Sequence, residues 1–277
     1  MNGVIIVDKQ KGKTSFDEIR DIRKTYNIKK VGHAGTLDPM ATGVLIILVG
    51  ETTKLSDYLM NHDKEYIATL KLGKKTDTGD SEGKIIEEKE IPNLSKENVQ
   101  NVLNTFIGKS KQIPPMYSAI KVNGKKLYEL AREGKEIERQ EREIEIYSLE
   151  IIKLIEENKK IAEIEFKVNC SKGTYIRTLC EDIAEKLGTC GYMKELRRTR
   201  VGRFTLNDKD KFITLEEIME DKESYSLDDE KLKKIINGVK ISTNLKDGFV
   251  KLYHNQKFIG LGEVENNKLK RKIICDK

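Results

Sequence analysis

The sequence predicts a mixed α/β (α+β) fold, and three observations carry that expectation. Short apolar runs bounded by glycine or charge recur along the 277 residues, as in GVIIVD at 3–8 and GVLIILVG at 43–50. Between them, apolar residues spaced by three and four mark amphipathic helices. From residue 248 onward three strand signals follow one another, GFVKLYH, KFIGLGEV and KLKRKIIC, with asparagines at the turns.

Taken in order, residues 3–8 read as a short buried strand. Ser15 and Glu18 have the spacing of a capping box, and Phe16, Ile19, Ile22 and Tyr26 supply the apolar stripe of the helix it opens. Arg20, Arg23 and Lys24 fall on the other face. Residues 32–43, GHAGTLDPMATG, hold three glycines, a proline and two threonines, which excludes a helix interior or a central strand. This is a shaped loop with Asp38 between Leu37 and Pro39, and it feeds straight into the strand 43–50. A helix over Leu55, Tyr58 and Leu59 and a strand at 65–73 come next. Residues 114–143 begin with a proline pair and mix aromatics with lysines, as suits an arm that touches a partner. Ile164, Phe166, Val168 and Cys170 alternate with Glu163, Glu165, Lys167 and Asn169, the pattern of a strand with one buried face. In the helix expected at 174–187, Thr174 is the N-cap, Ile176, Leu179, Cys180, Ile183 and Leu187 form the stripe, and Gly188 ends it. The expected division is a large unit, 1–227, and a small all-β unit, 228–277, with a basic last strand.

Composition narrows the function. No apolar run reaches the roughly 18 residues a membrane span needs. At the start the apolar run precedes the lysines, the reverse of a secretory signal, so the expectation is a cytoplasmic protein away from membranes. Cys170, Cys180, Cys190 and Cys275 lie far apart, and with three histidines no zinc spacing forms. Neither a P-loop nor a strand-led dinucleotide fingerprint occurs, and no Ser/His/Asp relay can be assembled. The expectation is chemistry by carboxylate, arginine and tyrosine, with no cofactor and no metal. The net charge of +6 is small, but the signs are segregated. Basic clusters stand at 9–13, 71–75, 121–126, 197–203 and 268–272, and acid gathers at 82–90 and 216–230. Five such clusters point to a polyanion partner, RNA or DNA.

Asp38 acquires a meaning from its neighbours. The run GHAGTLDPMATGVLIILVGETTK resembles the signature loop of the TruB family of pseudouridine synthases, in which GH-x-G-x-LDP-x-ATG-x-L surrounds the catalytic aspartate. The resemblance continues in chain order. KEYIATLKLGKKTDTGDSEG (64–83) is similar to the family's tyrosine segment, and IPPMYSAIKVNGKKLYELAREG (113–134) to its insertion. CSKGTYIRTLCEDI (170–183) is similar to the arginine motif and YMKELRRTRVGRF (192–204) to the Leu-Arg-Arg strand. It covers residues 3–204 well and extends to the tail as a PUA-like RNA-binding module.

The resemblance implies a mixed-sheet pseudouridine synthase domain with an RNA-binding insertion, forming pseudouridine 55 in the T loop of tRNA. It implies Asp38 as the catalytic carboxylate, Arg177 as its ion-pair partner, and Tyr66 stacked on the target base as a proton relay. Leu196 would wall the uracil pocket and His33 would fill the space left by the flipped base. Lys54 and Asp80 lie on motif segments and are assigned to the pocket rim. The partner would be the tRNA T-arm stem-loop, bound by a monomer without guide RNA. One departure stands out: the family's usual K-P-x-G is here Lys9-Gln10-Lys11-Gly12, and losing the proline removes a fixed φ from that loop. Two rivals remain, a guide-RNA-dependent synthase and an RNA-binding or tRNA-folding protein with secondary catalysis. The insertion and short tail argue against the first, and intact Asp38, Tyr66 and Arg177 against loss of catalysis.

Overall fold

The computed structural model describes residues 1–122 and 124–275. The first part of the chain forms β1 (Gly3–Lys9), α1 (Ser15–Tyr26), β2 (Val31–Ala34), β3 (Thr42–Val49), α2 (Ser56–Met60), β4 (Lys64–Leu72), the hairpin β5 (Lys74–Thr76) and β6 (Ile85–Glu88), α3 (Lys96–Asn104) and β7 (Gly108–Gln112). A small excursion follows, with β8 (Lys121–Val122) pairing β9 (Lys125–Lys126) before α4 (Leu127–Arg132). The chain then returns through β10 (Arg142–Glu157), β11 (Lys160–Cys170), α5 (Ile176–Lys186), β12 (Gly191–Val201), β13 (Phe204–Thr205), β14 (Phe212–Thr214) and α6 (Leu215–Ile218). The last part holds β15 (Ser224–Ser226), α7 (Asp229–Ile236), β16 (Ile241–Ser242), β17 (Gly248–His254), β18 (Lys257–Glu265) and β19 (Lys268–Ile274).

The main sheet runs β14-β1-β3-β12-β4-β11-β10-β7, with β2 on β3 and β13 on β12. It is mixed because β3 and β12 pair in parallel through Arg197↔Thr42 and Arg198↔Gly43, whereas the other ladders are antiparallel. The β3 residues Gly43–Val49 are all buried, which is why that strand reads as a continuous apolar run. One face of the sheet packs α1, α3 and α5 through Ile5, Leu45, Leu70, Phe166, Val99 and Ile183. On the other face Val4, Ile46 and Leu48 share a core with Leu59, Ile218, Leu261 and Ile273, so the C-terminal strands close the back of β1 and β3.

Several local expectations need correction. The α1 capping box is Thr14 with Asp17, one residue earlier than the Ser15 and Glu18 spacing suggests. Ser15 is instead buried, its hydroxyl donating to the Leu37 carbonyl and accepting from the Leu37 N–H. Phe16 and Tyr26 are exposed, and only Ile19 and the half-buried Ile22 reach the core. Thr174 does not cap α5: its hydroxyl donates to the Ser171 carbonyl, and the helix starts at Ile176. The C-terminal unit is β-rich rather than all-β. The acidic run is itself folded, because Asp228 accepts from the Lys231 N–H and opens α7, while β15 pairs β17 in parallel. Asn255, Asn266 and Asn267 all adopt positive φ at the tight turns, as the turn signals predicted.

Candidate active site

The loop between β2 and β3 presents one carboxylate by burying what surrounds it. Leu37, Met40 and Ala41 are almost fully enclosed, and their backbone is tied down. Lys9, itself inaccessible, donates from Nζ to the carbonyls of Pro39 at 3.1 Å and Ala41 at 2.6 Å. The Gly12 N–H donates to the Pro39 carbonyl at 2.8 Å, and Ser15 holds Leu37. The 9–13 loop is thus clasped to the Asp38 loop by hydrogen bonds even though Gln10 replaces a ring. Gly43 ends the loop at φ +103°, where a Cβ would collide with the Arg198 backbone on the paired strand. Asp38 is left projecting, with 34% of its side chain open.

Arg177, one residue into α5, meets that carboxylate: Nε lies 3.1 Å from Oδ2 and Nη2 3.5 Å from Oδ1. Two more of its N–H groups meet backbone carbonyls. Nη2 donates to the Tyr117 carbonyl at 2.6 Å and Nη1 to the Thr78 carbonyl at 3.2 Å. Asp80 completes the arrangement from the other side, with Oδ2 3.7 Å from Nη1 and Oδ1 accepting from the Thr78 hydroxyl and the Glu82 N–H. A guanidinium this fully held is oriented as well as charged.

Tyr66, Leu196 and Arg198 share one face of adjacent strands, since Tyr66 pairs with Arg198 and Ala68 with Leu196. The Arg198 guanidinium is inaccessible; Nε donates to the Val44 carbonyl and Nη2 to the Gly35 carbonyl, at 2.7 and 3.0 Å. Its charge also pulls on the Tyr66 phenol, opposing the rise that burial causes. Arg198 acts electrostatically on Asp38, Tyr66 and His33 alike, so it is the common hub beneath the site.

Burial sets the protonation states. It pushes the Asp38 carboxyl above the usual carboxylate range; Arg177 pulls it back, Asp80 adds to the rise, and Lys9 and Arg198 oppose it. An ion pair with Arg177 would by itself lower it, but desolvation outweighs that pull. Burial also raises the Tyr66 phenol, so it stays protonated at neutral pH. His33 is held below its ordinary value by burial and by Arg198, so its imidazole is neutral, and its Nδ1 is a buried atom with no hydrogen-bond partner among the described residues.

The structure therefore gathers Asp38, Arg177, Asp80, Tyr66 and Leu196, with His33 at the edge of the same charge field. Lys54 stands apart: it is half-exposed on the 3₁₀ turn before α2 and pairs with Glu51 at 2.6 Å. Lys9 and Arg198 lay in basic clusters and in motif segments, but neither was given a place in the site. The signal for Arg198 was its two-residue spacing from Leu196, which puts both on one strand face. Among the described residues no three His, Cys, Asp or Glu side chains stand together as a metal-holding group.

Comparison with known proteins gives three matching family profiles. Residues 23–176 match "TruB family pseudouridylate synthase (N terminal domain)", 177–241 "tRNA pseudouridylate synthase B C-terminal domain", and 224–272 "Pseudouridine synthase II TruB, C-terminal". The last begins where β15 does. The chain is 46% identical to a tRNA pseudouridine synthase B of Clostridium tetani, over 95% of this chain and 96% of the relative. It is 42% identical to one of Francisella tularensis subsp. novicida, over 100% and 95%. Among solved structures it resembles a chain of a Cbf5-Nop10-Gar1 complex, with a TM-score of 0.69 and 23% identity, over 98% of this chain and 84% of that one. At that identity the likeness concerns the fold.

Proposed function

The chain belongs to the TruB family of pseudouridylate synthases, and from that premise we propose that it isomerises uridine 55 in the T loop of tRNA to pseudouridine. The name tRNA pseudouridine synthase B carried by its relatives supports tRNA as the substrate. In the reaction the C1′–N1 bond breaks, the uracil turns, and C5 bonds to C1′. The C5 proton leaves and N1 takes one up, so atoms and electrons balance within the nucleotide.

The observation that carries this reading is Asp38, one-third open in an otherwise enclosed wall and paired to a guanidinium that three other contacts orient. Attack at C1′, attack on the uracil ring and assisted elimination to a glycal all need that carboxylate ionised. The Tyr66 phenol, kept protonated, suits stacking on the base and handing on a proton. Leu196 supplies an apolar wall. A base inside a folded T loop must flip out, at a cost of a few kcal/mol that contacts to the vacated stack offset. The neutral His33 imidazole suits that position. Lysine and arginine clusters would grip phosphates on both sides, giving a steep salt dependence.

Tritium release from a T-arm stem-loop labelled at uridine C5, without guide RNA or cofactor, tests the reading. Wild-type protein is expected to release label from the T-loop uridine and Asp38→Asn to release none. Folded wild-type protein that binds this RNA and releases nothing would refute the assignment.

A further inference from the structure

Gln112, the last residue of β7, is buried at 5% exposure, and both polar atoms of its side chain are used on one residue. Nε2 donates to the Tyr175 carbonyl at 3.1 Å and Oε1 accepts from the Tyr175 N–H at 2.8 Å. Tyr175 is extended, at φ −97° and ψ 110°, and immediately precedes α5 with no side-chain cap. The amide therefore pairs with it as a neighbouring strand would. Arg177 is two residues further along.

Five residues beyond Gln112, the Tyr117 carbonyl accepts from Arg177 Nη2 at 2.6 Å. Segment 112–117 is thus fastened to segment 175–177 at both ends. Between the fastenings lie Pro114 and Pro115, whose rings fix φ and stiffen the strap. Arg139, on the returning leg, donates from Nη1 to the Pro114 carbonyl at 3.1 Å and braces its middle.

We propose that Gln112 is a positioning residue for the isomerisation: by clamping the Tyr175 backbone it sets where the Arg177 guanidinium stands against Asp38. This rests on the pseudouridine synthase reading above. Gln112 touches neither carboxylate, so its action passes through Tyr175 and the stiff strap. A near-isosteric methionine would free both Tyr175 groups and let the start of α5 drift, and displacements of about 1 Å cost up to about a hundredfold in oriented sites. Asp38 would then lose part of the one strong opposing charge beside it, leaving the Asp80 carboxylate, with Lys9 and Arg198 as the other cations.

The test compares wild type, Gln112→Met, Gln112→Glu, Arg177→Lys and the Gln112→Met/Arg177→Lys double variant by single-turnover tritium release on saturating stem-loop, with RNA binding measured separately. For Gln112→Met the rate should fall about tenfold or more, while Kd stays within roughly threefold. The acid limb of its rate profile should move to higher pH. In the double variant the added loss should be much smaller than in the single one, as for groups acting through one another. Gln112→Glu keeps the acceptor for the Tyr175 N–H, should recover part of the rate, and carries the same readouts should Gln112→Met not fold. A wild-type rate, a loss confined to Kd, or a rate loss with an unmoved acid limb and full additivity would each overturn the proposal. No release by wild type would sink the functional reading itself, and the amide's role with it, whereas equal release by wild type and Gln112→Met would sink only the latter.

Discussion

At the residue scale the informative quantity is the charge on Asp38. Burial raises its pKa and Arg177 only partly reverses this, so ionisation completes above the ordinary value of about 3.9. If the ionised form is the reactive one, as the proposed mechanism requires, kcat/KM should fall as pH drops through that raised value. Tyr66 should impose no alkaline limb near neutrality, since its phenol is raised too. Asp80 contributes to the rise as a like charge. Asp80→Asn should therefore move the acid limb of the pH–rate profile to lower pH; a move to higher pH would mean that Asp80 acts mainly by holding Arg177 in place. That Asp38, Arg177 and Tyr66 belong near one another was legible because their motif neighbours placed them in one family site by resemblance. The sign of the Asp38 shift was not, because desolvation depends on the fold around the loop and leaves no mark in the loop's own residues. Lys9 and Arg198 were illegible for a related reason. Charge on a sequence reads as solvated surface, and only the carbonyls that receive them, Pro39, Ala41, Val44 and Gly35, explain their burial.

At the element scale, periodicity located β1, β3, β4, β11 and the tail strands β17, β18 and β19 with α1, α2 and α5, and passed over others, the long β10 and the helices α3 and α7 among them; where an element was found, the errors fell at its ends. The α1 start illustrates why. Thr14 and Asp17 satisfy each other's backbone N–H groups, a geometry that Ser15 and Glu18 match equally well by spacing. What separates the two registers is tertiary: Ser15 is needed at the Leu37 backbone, so the cap falls to its neighbour. Thr14→Ala should accordingly lower stability by about 1 kcal/mol, read as a reduced midpoint in urea denaturation with an unchanged slope. Its effect on turnover should be small, since the Thr14 side chain bonds within the cap. Ser15→Ala should show the opposite balance, a larger loss of turnover for its stability cost, because it releases the loop that carries Asp38. Equal behaviour of the two variants would show that the register of the cap does not matter to the site.

At the scale of the whole molecule, the C-terminal unit does more structural work than its charge pattern suggests. Its basic last strand suggests an RNA grip, and if that were its only part, deletion of 228–277 would weaken binding while sparing turnover. The structure changes that expectation. Lys270 pairs with Glu263 and Glu265, and Lys272 with Glu263, so part of this positive charge is neutralised by the neighbouring strand. Meanwhile Leu261, Ile273 and Phe249 pack on Val4, Ile46 and Leu48, the back of β1 and β3, and Phe249 meets Tyr58 edge-on at 5.3 Å. Truncation after residue 227 would also leave β15 without the strand it pairs with. The freed surface is an apolar patch on the rear of β1 and β3, the kind that destabilises a domain and promotes association. The truncated protein should therefore unfold at a lower temperature and self-associate, and its turnover at saturating RNA should fall along with its stability. A truncated chain that stays monomeric, melts like the full protein and loses only RNA affinity would mean that the rear core contributes little and that the unit serves binding alone.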